Sequence, residues 1–142
     1  MSGTTSGIRF SEGVVAKSVV IDHCSFRNQT ESGLLFDAMP GAGAGEFAWR
    51  NCLFAGAAKA ELLIAKNYDA NKFIALMSAN KSVENNWSDR KAGNPVIGER
   101  DLLSSDSRVS QAIKFESTGA NSELYLVPKA GEPYKSAGIK PK

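Results

Sequence analysis

Histidine and cysteine are scarce in this chain, with one histidine and two cysteines among 142 residues. That is too few for a His/Cys zinc cage. No Asp-x-Asp calcium loop occurs either, so no metal and no cofactor is expected. Charge of one sign is also lacking: 17 Lys and Arg against 15 Asp and Glu leave a formal charge of +2. Bulk electrostatics therefore points to neither nucleic acid nor a membrane surface as partner. No apolar run reaches membrane-spanning length. The start, Met1-Ser-Gly-Thr-Thr-Ser6, has neither the basic residues nor the apolar core of a secretion leader. As it stands the chain is expected to be cytoplasmic, and secreted if it is a segment of a longer precursor. Nucleophile motifs are missing too: there is no Gly-x-Ser-x-Gly, and Cys24 follows His23 directly, which in an alternating strand points the two apart.

What is present is self-similarity. Ser18-Val-Val-Ile-Asp-His-Cys-Ser-Phe26 is echoed by Glu46-Phe-Ala-Trp-Arg-Asn-Cys-Leu-Phe54, with Cys52 standing on Cys24. The same offset sets Leu34, Leu35 and Phe36 on Leu62, Leu63 and Ile64. Two apolar runs in one register signal stacked units, each with an apolar face that only a neighbour can cover. Within Ile21-Asp-His-Cys-Ser-Phe26 the pattern is a strand, a polar corner and then alternation, not helical spacing. Asp22-His23 and Arg50-Asn51 form the corners. Asn, Asp and His are the residue types that best tolerate a left-handed backbone at a sharp bend.

These coils, read as apolar-x-Asn-Cys-x-Phe followed by a Gly-led strand, resemble those of the pectin-lyase-like superfamily. Gly33-Leu34-Leu35-Phe36 supplies the second strand, and Gly7-Ile8-Arg9-Phe10 stands as its predecessor one coil earlier. The resemblance implies an all-β, short right-handed parallel β-helix of about three coils over residues 7–88, followed by an irregular C-terminal capping segment over 89–142, in a single domain spanning 1–142. Stacked Cys24 and Cys52 would lie about 4.8 Å apart. Buried free thiols packing as small hydrophobes are expected there, with a bridge or a reactive thiol left open.

Along the chain, the Pro and alternate glycines of Ala38–Gly45 read as a loop between coils and lack the setting of a phosphate-binding loop. Residues 55–66 have mixed propensity, and the register set by Cys24 and Cys52 favours a strand from Glu61 to Ala65 over a helix. Phe73–Met77 reads as the third coil's strand, with Ile74 in the place that Phe47 holds one coil earlier. Glu84-Asn-Asn-Trp87 keeps an Asn-then-aromatic fragment of the pattern. Val96-Ile97, Asp101–Leu103, Ala112–Phe115 and Glu123–Val127 read as irregular strands, with a helical turn near 107–112. The Pro-Gly-Pro ending resembles the closing segment that crosses the last coil in bacterial β-helix proteins. The head, by contrast, reads as an open coil, so that either the chain is a segment of something longer or the open end meets a partner, a second copy among them.

One candidate site emerges, the corner formed by Asp22, His23, Arg50 and Asn51. It could hold a carboxylated sugar, with Arg50 pairing an acid group and His23 moving a proton; the alternative is a set of exposed turn residues chosen for backbone geometry. The resemblance implies clustered acids or a basic residue in the superfamily's hydrolases and lyases. Asp22, Asp37, Asp69, Asp89, Asp101 and Asp106 are scattered, so no catalytic residue carries over. Trp49 is expected in the core, where it would fill a wide coil, and Trp87 remains a candidate sugar-stacking ring. Asn28, Asn80 and Asn86 head glycosylation sequons. The leading expectation is a non-enzymatic β-helix module of unassigned role, with carbohydrate binding or self-assembly through its open N-terminal coil as the roles it could take. The alternatives are a fragment or subunit of a polysaccharide lyase or glycoside hydrolase, and an intracellular protein of a mobile or metagenomic element.

Overall fold

The computed structural model describes residues 6–11, 18–37, 47–56, 60–64, 83–90, 99–100 and 109–141. They are all-β, with no helix among them. Ten strands follow in chain order: β1 (Ser6–Phe10), β2 (Val19–Asp22), β3 (Ser25–Arg27), β4 (Ser32–Phe36), β5 (Phe47–Arg50), β6 (Leu53–Ala55), β7 (Ala60–Ile64), β8 (Val83–Glu84), β9 (Trp87–Ser88) and β10 (Glu99–Arg100). They form three sheets, in the orders β1-β4-β7-β10, β2-β5-β8 and β3-β6-β9. Every pairing is parallel except that of β10 on β7. The chain thus visits the three sheets in the same order three times, and we call each passage a circuit.

Register follows the sequence pattern. Leu34 lies opposite Leu62 and Phe36 opposite Ile64, while Ile8 lies opposite Leu34. Residues 60–64 are a strand, which settles the ambiguity of the 55–66 segment in favour of the tertiary register over local helix propensity. Like side chains consequently stack on like. The Phe10 and Phe36 rings lie 4.4 Å apart, the Phe26 and Phe54 rings 5.0 Å apart, both nearly parallel, and Trp49 meets Phe54 edge-on at 5.4 Å. Ile21, Leu34, Trp49, Cys52 and Leu62 complete this buried core. Each such aliphatic or aromatic side chain contributes about 1.5–3 kcal/mol by leaving water. Trp49 is inside, as its place before a corner predicted.

Three expectations need correction or placing. The strand opposite β5 is Val83–Glu84, with Val83 against Trp49, so the third circuit arrives at that sheet later than the Ile74 register proposed. Phe73–Met77 itself lies outside the described residues, as do the 38–45 loop, Val96-Ile97 and Asp101–Leu103. The C-terminal segment runs along the outer face of β3-β6-β9, where Ile113, Tyr134 and Ala137 pack on Leu53 and Ala55. After β10, the described residues 109–141 hold only isolated bridges, Phe115 with Pro128 and Ser117 with Tyr125, and residues 109–112 are not helical. Gly138, with φ 73, donates its N–H to the Asn51 carbonyl at 2.7 Å. It lies so close to Leu53 that a side chain there would collide.

Candidate functional site

The corner between the second and third sheets brings all four predicted residues together. His23, Asn51 and Asn85 occupy the same station in successive circuits, with φ 50, 52 and 49. The left-handed backbone turns β2 into β3, β5 into β6 and β8 into β9, and polar residues that tolerate it stand at each turn. Asp22 precedes the first turn. Its Oδ2 accepts from Arg50 Nε at 3.0 Å and its Oδ1 from Asn51 Nδ2 at 2.8 Å, while His23 Nδ1 is 2.7 Å from Oδ1. The Asn51 amide, and after it the Arg50 guanidinium, hold the Asp22 carboxyl at about 2, against an ordinary 3.8.

Sequence reasoning missed how far this network extends. Asn85 Nδ2 donates to Asn51 Oδ1 at 2.7 Å, and Trp87 Nε1 donates to Asn85 Oδ1 at 2.9 Å. Side-chain hydrogen bonds therefore run in one sense across three circuits. The Glu84-Asn-Asn-Trp87 fragment was the available signal. Trp87 is partly covered by Tyr134, with ring centres 6.3 Å apart.

Beside this corner the next station holds Cys24, Cys52 and Asn86. Both cysteines are free; Cys52 is buried but Cys24 only partly so, which corrects the expectation that both thiols are buried. Asn86 Oδ1 accepts from the Cys52 N–H at 3.0 Å, and its Nδ2 donates to the Trp49 carbonyl at 2.8 Å. Buried in these bonds, Asn86 is closed to glycosylation in the folded chain.

A second polar group went unforeseen. Gly7, Gly33 and Glu61 share a station in the first sheet, facing Phe26, Phe54 and Ser88 from the third. Glu61 is fully buried, and its Oε1 accepts from the Ser88 hydroxyl at 2.6 Å, with Arg90 4.0 Å from its other oxygen. The hydroxyl in turn accepts from the Arg90 N–H at 3.1 Å. The signal was an acid standing in the glycine position of the repeat register. Nearby, Asp89 joins Gly56 N–H at 2.7 Å to Ile113 N–H at 2.8 Å, tying the stacked strands to the tail.

The tail also borders a cleft of about 320 Å³ lined by Val109, Gln111, Lys114, Glu132 and Tyr134. Within it Lys114 Nζ and Glu132 are paired at 3.2 Å, and the Tyr134 hydroxyl accepts from the Lys114 N–H at 2.8 Å. Burial raises the Tyr134 phenol above its ordinary range. Among the described residues no group of three or more His, Cys, Asp and Glu is placed to hold a metal ion. No protein family, curated protein or solved structure matches the chain.

Proposed function

We propose that the chain is a right-handed parallel β-helix module of the pectin-lyase-like kind, a non-enzymatic scaffold that binds polysaccharide along the Asp22, His23, Arg50 and Asn51 corner. The observation that carries this reading is the common phase of the three sheets, visited in one order with corners of matching backbone at His23, Asn51 and Asn85. The corner supports saccharide binding because it presents a partly exposed guanidinium and imidazole beside an amide. That mixture of donors and acceptors pairs with sugar hydroxyls and carboxylates. Cleavage is the poorer fit, because both oxygens of Asp22 are engaged and its depressed pKa makes it a weak base.

Calorimetric titration with polyuronates and neutral glycans tests the reading. Arg50→Ala is expected to weaken binding about tenfold or more, the worth of one charge-assisted hydrogen bond. Unchanged affinity in both Arg50→Ala and His23→Ala removes the corner as the site. Release of shortened glycans would instead favour the alternative of a lyase or hydrolase fragment. Self-association is the other part of the proposal: among the described strands β1 is the flank of its sheet, and a flank strand offers backbone groups to a further strand, here from a second copy. Light scattering that finds only monomer at high concentration removes that part.

A further inference from the structure

Cys24 and Cys52 lie between two register pairs, Asp22 opposite Arg50 and Ser25 opposite Leu53, so they are themselves neighbours on adjacent circuits. The Cys24 carbonyl accepts from the Leu53 N–H at 2.9 Å, which fixes their separation near the strand spacing. That spacing, about 4.8 Å, falls inside the Cα range of about 4.4–6.8 Å that disulfides occupy. The side chains share a direction: Cys24 Sγ donates to the Asp22 carbonyl at 3.4 Å and Cys52 Sγ to the Arg50 carbonyl at 3.1 Å. Cys52 Sγ also lies 3.8 Å from the Ile21 carbonyl, so it reaches across to the circuit that carries Cys24. One thiol is partly exposed and the other buried, and beyond Cys52 the station is filled by Asn86, an amide without redox chemistry.

We propose that Cys24 and Cys52 form a dithiol couple in which Cys24 exchanges with a small disulfide and Cys52 resolves the adduct, closing a covalent bond between the first and second circuits. The Cys24 thiolate attacks one sulfur of glutathione disulfide, forming a mixed disulfide and releasing one glutathione thiolate. Cys52 then gives up its proton and attacks the Cys24 sulfur, forming the Cys24–Cys52 bond and expelling the second glutathione thiolate. Two protein thiols are oxidised and one glutathione disulfide is reduced to two thiols. The division of labour follows from the surroundings. Cys24, the more exposed of the two, has its pKa lowered to about 7 by the neighbouring Cys52, whereas the neighbouring Cys24 and burial push the Cys52 thiol up. Cys24 is therefore the attacking thiol and Cys52 the resolving one.

The experiment incubates the whole chain with glutathione disulfide and follows intact mass and thiol alkylation. The wild type is expected to show a glutathione adduct that rises and decays to a species lacking both alkylatable thiols and lacking glutathione. Cys52→Ser should accumulate the adduct on Cys24 without decay, and Cys24→Ser should leave Cys52 unmodified, with circular dichroism confirming that both variants fold. A stable adduct in the wild type would show that Cys52 cannot reach its partner and would overturn the couple. Failure of the wild type to react would overturn it as well.

Discussion

The first two circuits and the third solve one packing problem with opposite chemistry. In the first two, a phenyl ring from the third sheet lies over a glycine of the first sheet; a methyl group on Gly7 or Gly33 would stand 2.3 or 2.2 Å from the ring of Phe26 or Phe54. In the third, the glycine has become Glu61 and the phenylalanine Ser88, joined at 2.6 Å. The ring contributes about 1.5–3 kcal/mol by burial, the hydrogen bond a net of about 0.5–1.5 kcal/mol. The polar version is the weaker contributor, and it is less forgiving, because removing either partner leaves the other buried and unsatisfied. Volume and polarity have changed together across the pair, which is why neither substitution would be tolerated alone.

The contrast is broken most severely at its apolar end. Phe54→Ala is expected to lower unfolding free energy by about 3–5 kcal/mol in urea denaturation. Gly33→Ala alone should cost about 1–3 kcal/mol by overpacking, yet be close to neutral in the Phe54→Ala background; full additivity would mean the ring and the glycine are not coupled. At the polar end, Glu61→Ala should cost about 1–3 kcal/mol, and combining it with Ser88→Ala should cost less than the two single losses together. Acid separates the two chemistries more gently. Because folding lowers the Asp22 pKa, its contribution is complete above pH 3.8 and is lost as pH falls towards about 2; Asp22→Asn should flatten that part of the stability profile and leave the Phe–Gly stations unaffected. The smallest effect is on reactivity alone: alkylation of Cys24 should rise as pH increases through about 7 while Cys52 stays silent.

Much of this arrangement was legible from apolar spacing. The register read from the two cysteines placed Leu34 opposite Leu62 and required a strand where 60–64 lies, since a mismatched register would turn core residues outward. His23 and Asn51 were readable as corners because few residue types accept that backbone. The third circuit was harder. Asn51 and Asn85 are 34 residues apart, so a search tuned to the shorter interval passed over Val83. Glu61 was hidden for another reason: local propensity makes glutamate an unremarked surface residue, and only its partner Ser88, distant in sequence, reveals that it is inside. The Asp22, His23, Arg50 and Asn51 group was found, but its continuation through Asn85 to Trp87 depends on side-chain direction, which spacing does not encode.

The one-way row of amides at the corner has a bearing on how such a chain tolerates change. Each circuit takes its own length of chain, yet each returns a residue of the same backbone hand to the same place; there Asn85 donates to Asn51 of the circuit before it, and Asn51 in turn donates to Asp22 of the first. The row acts as a phase lock. Chain inserted between corners leaves the lock engaged, whereas a slip of a single residue at the corner would bring Arg50 or Cys52 to the bend and uncouple every circuit beyond it.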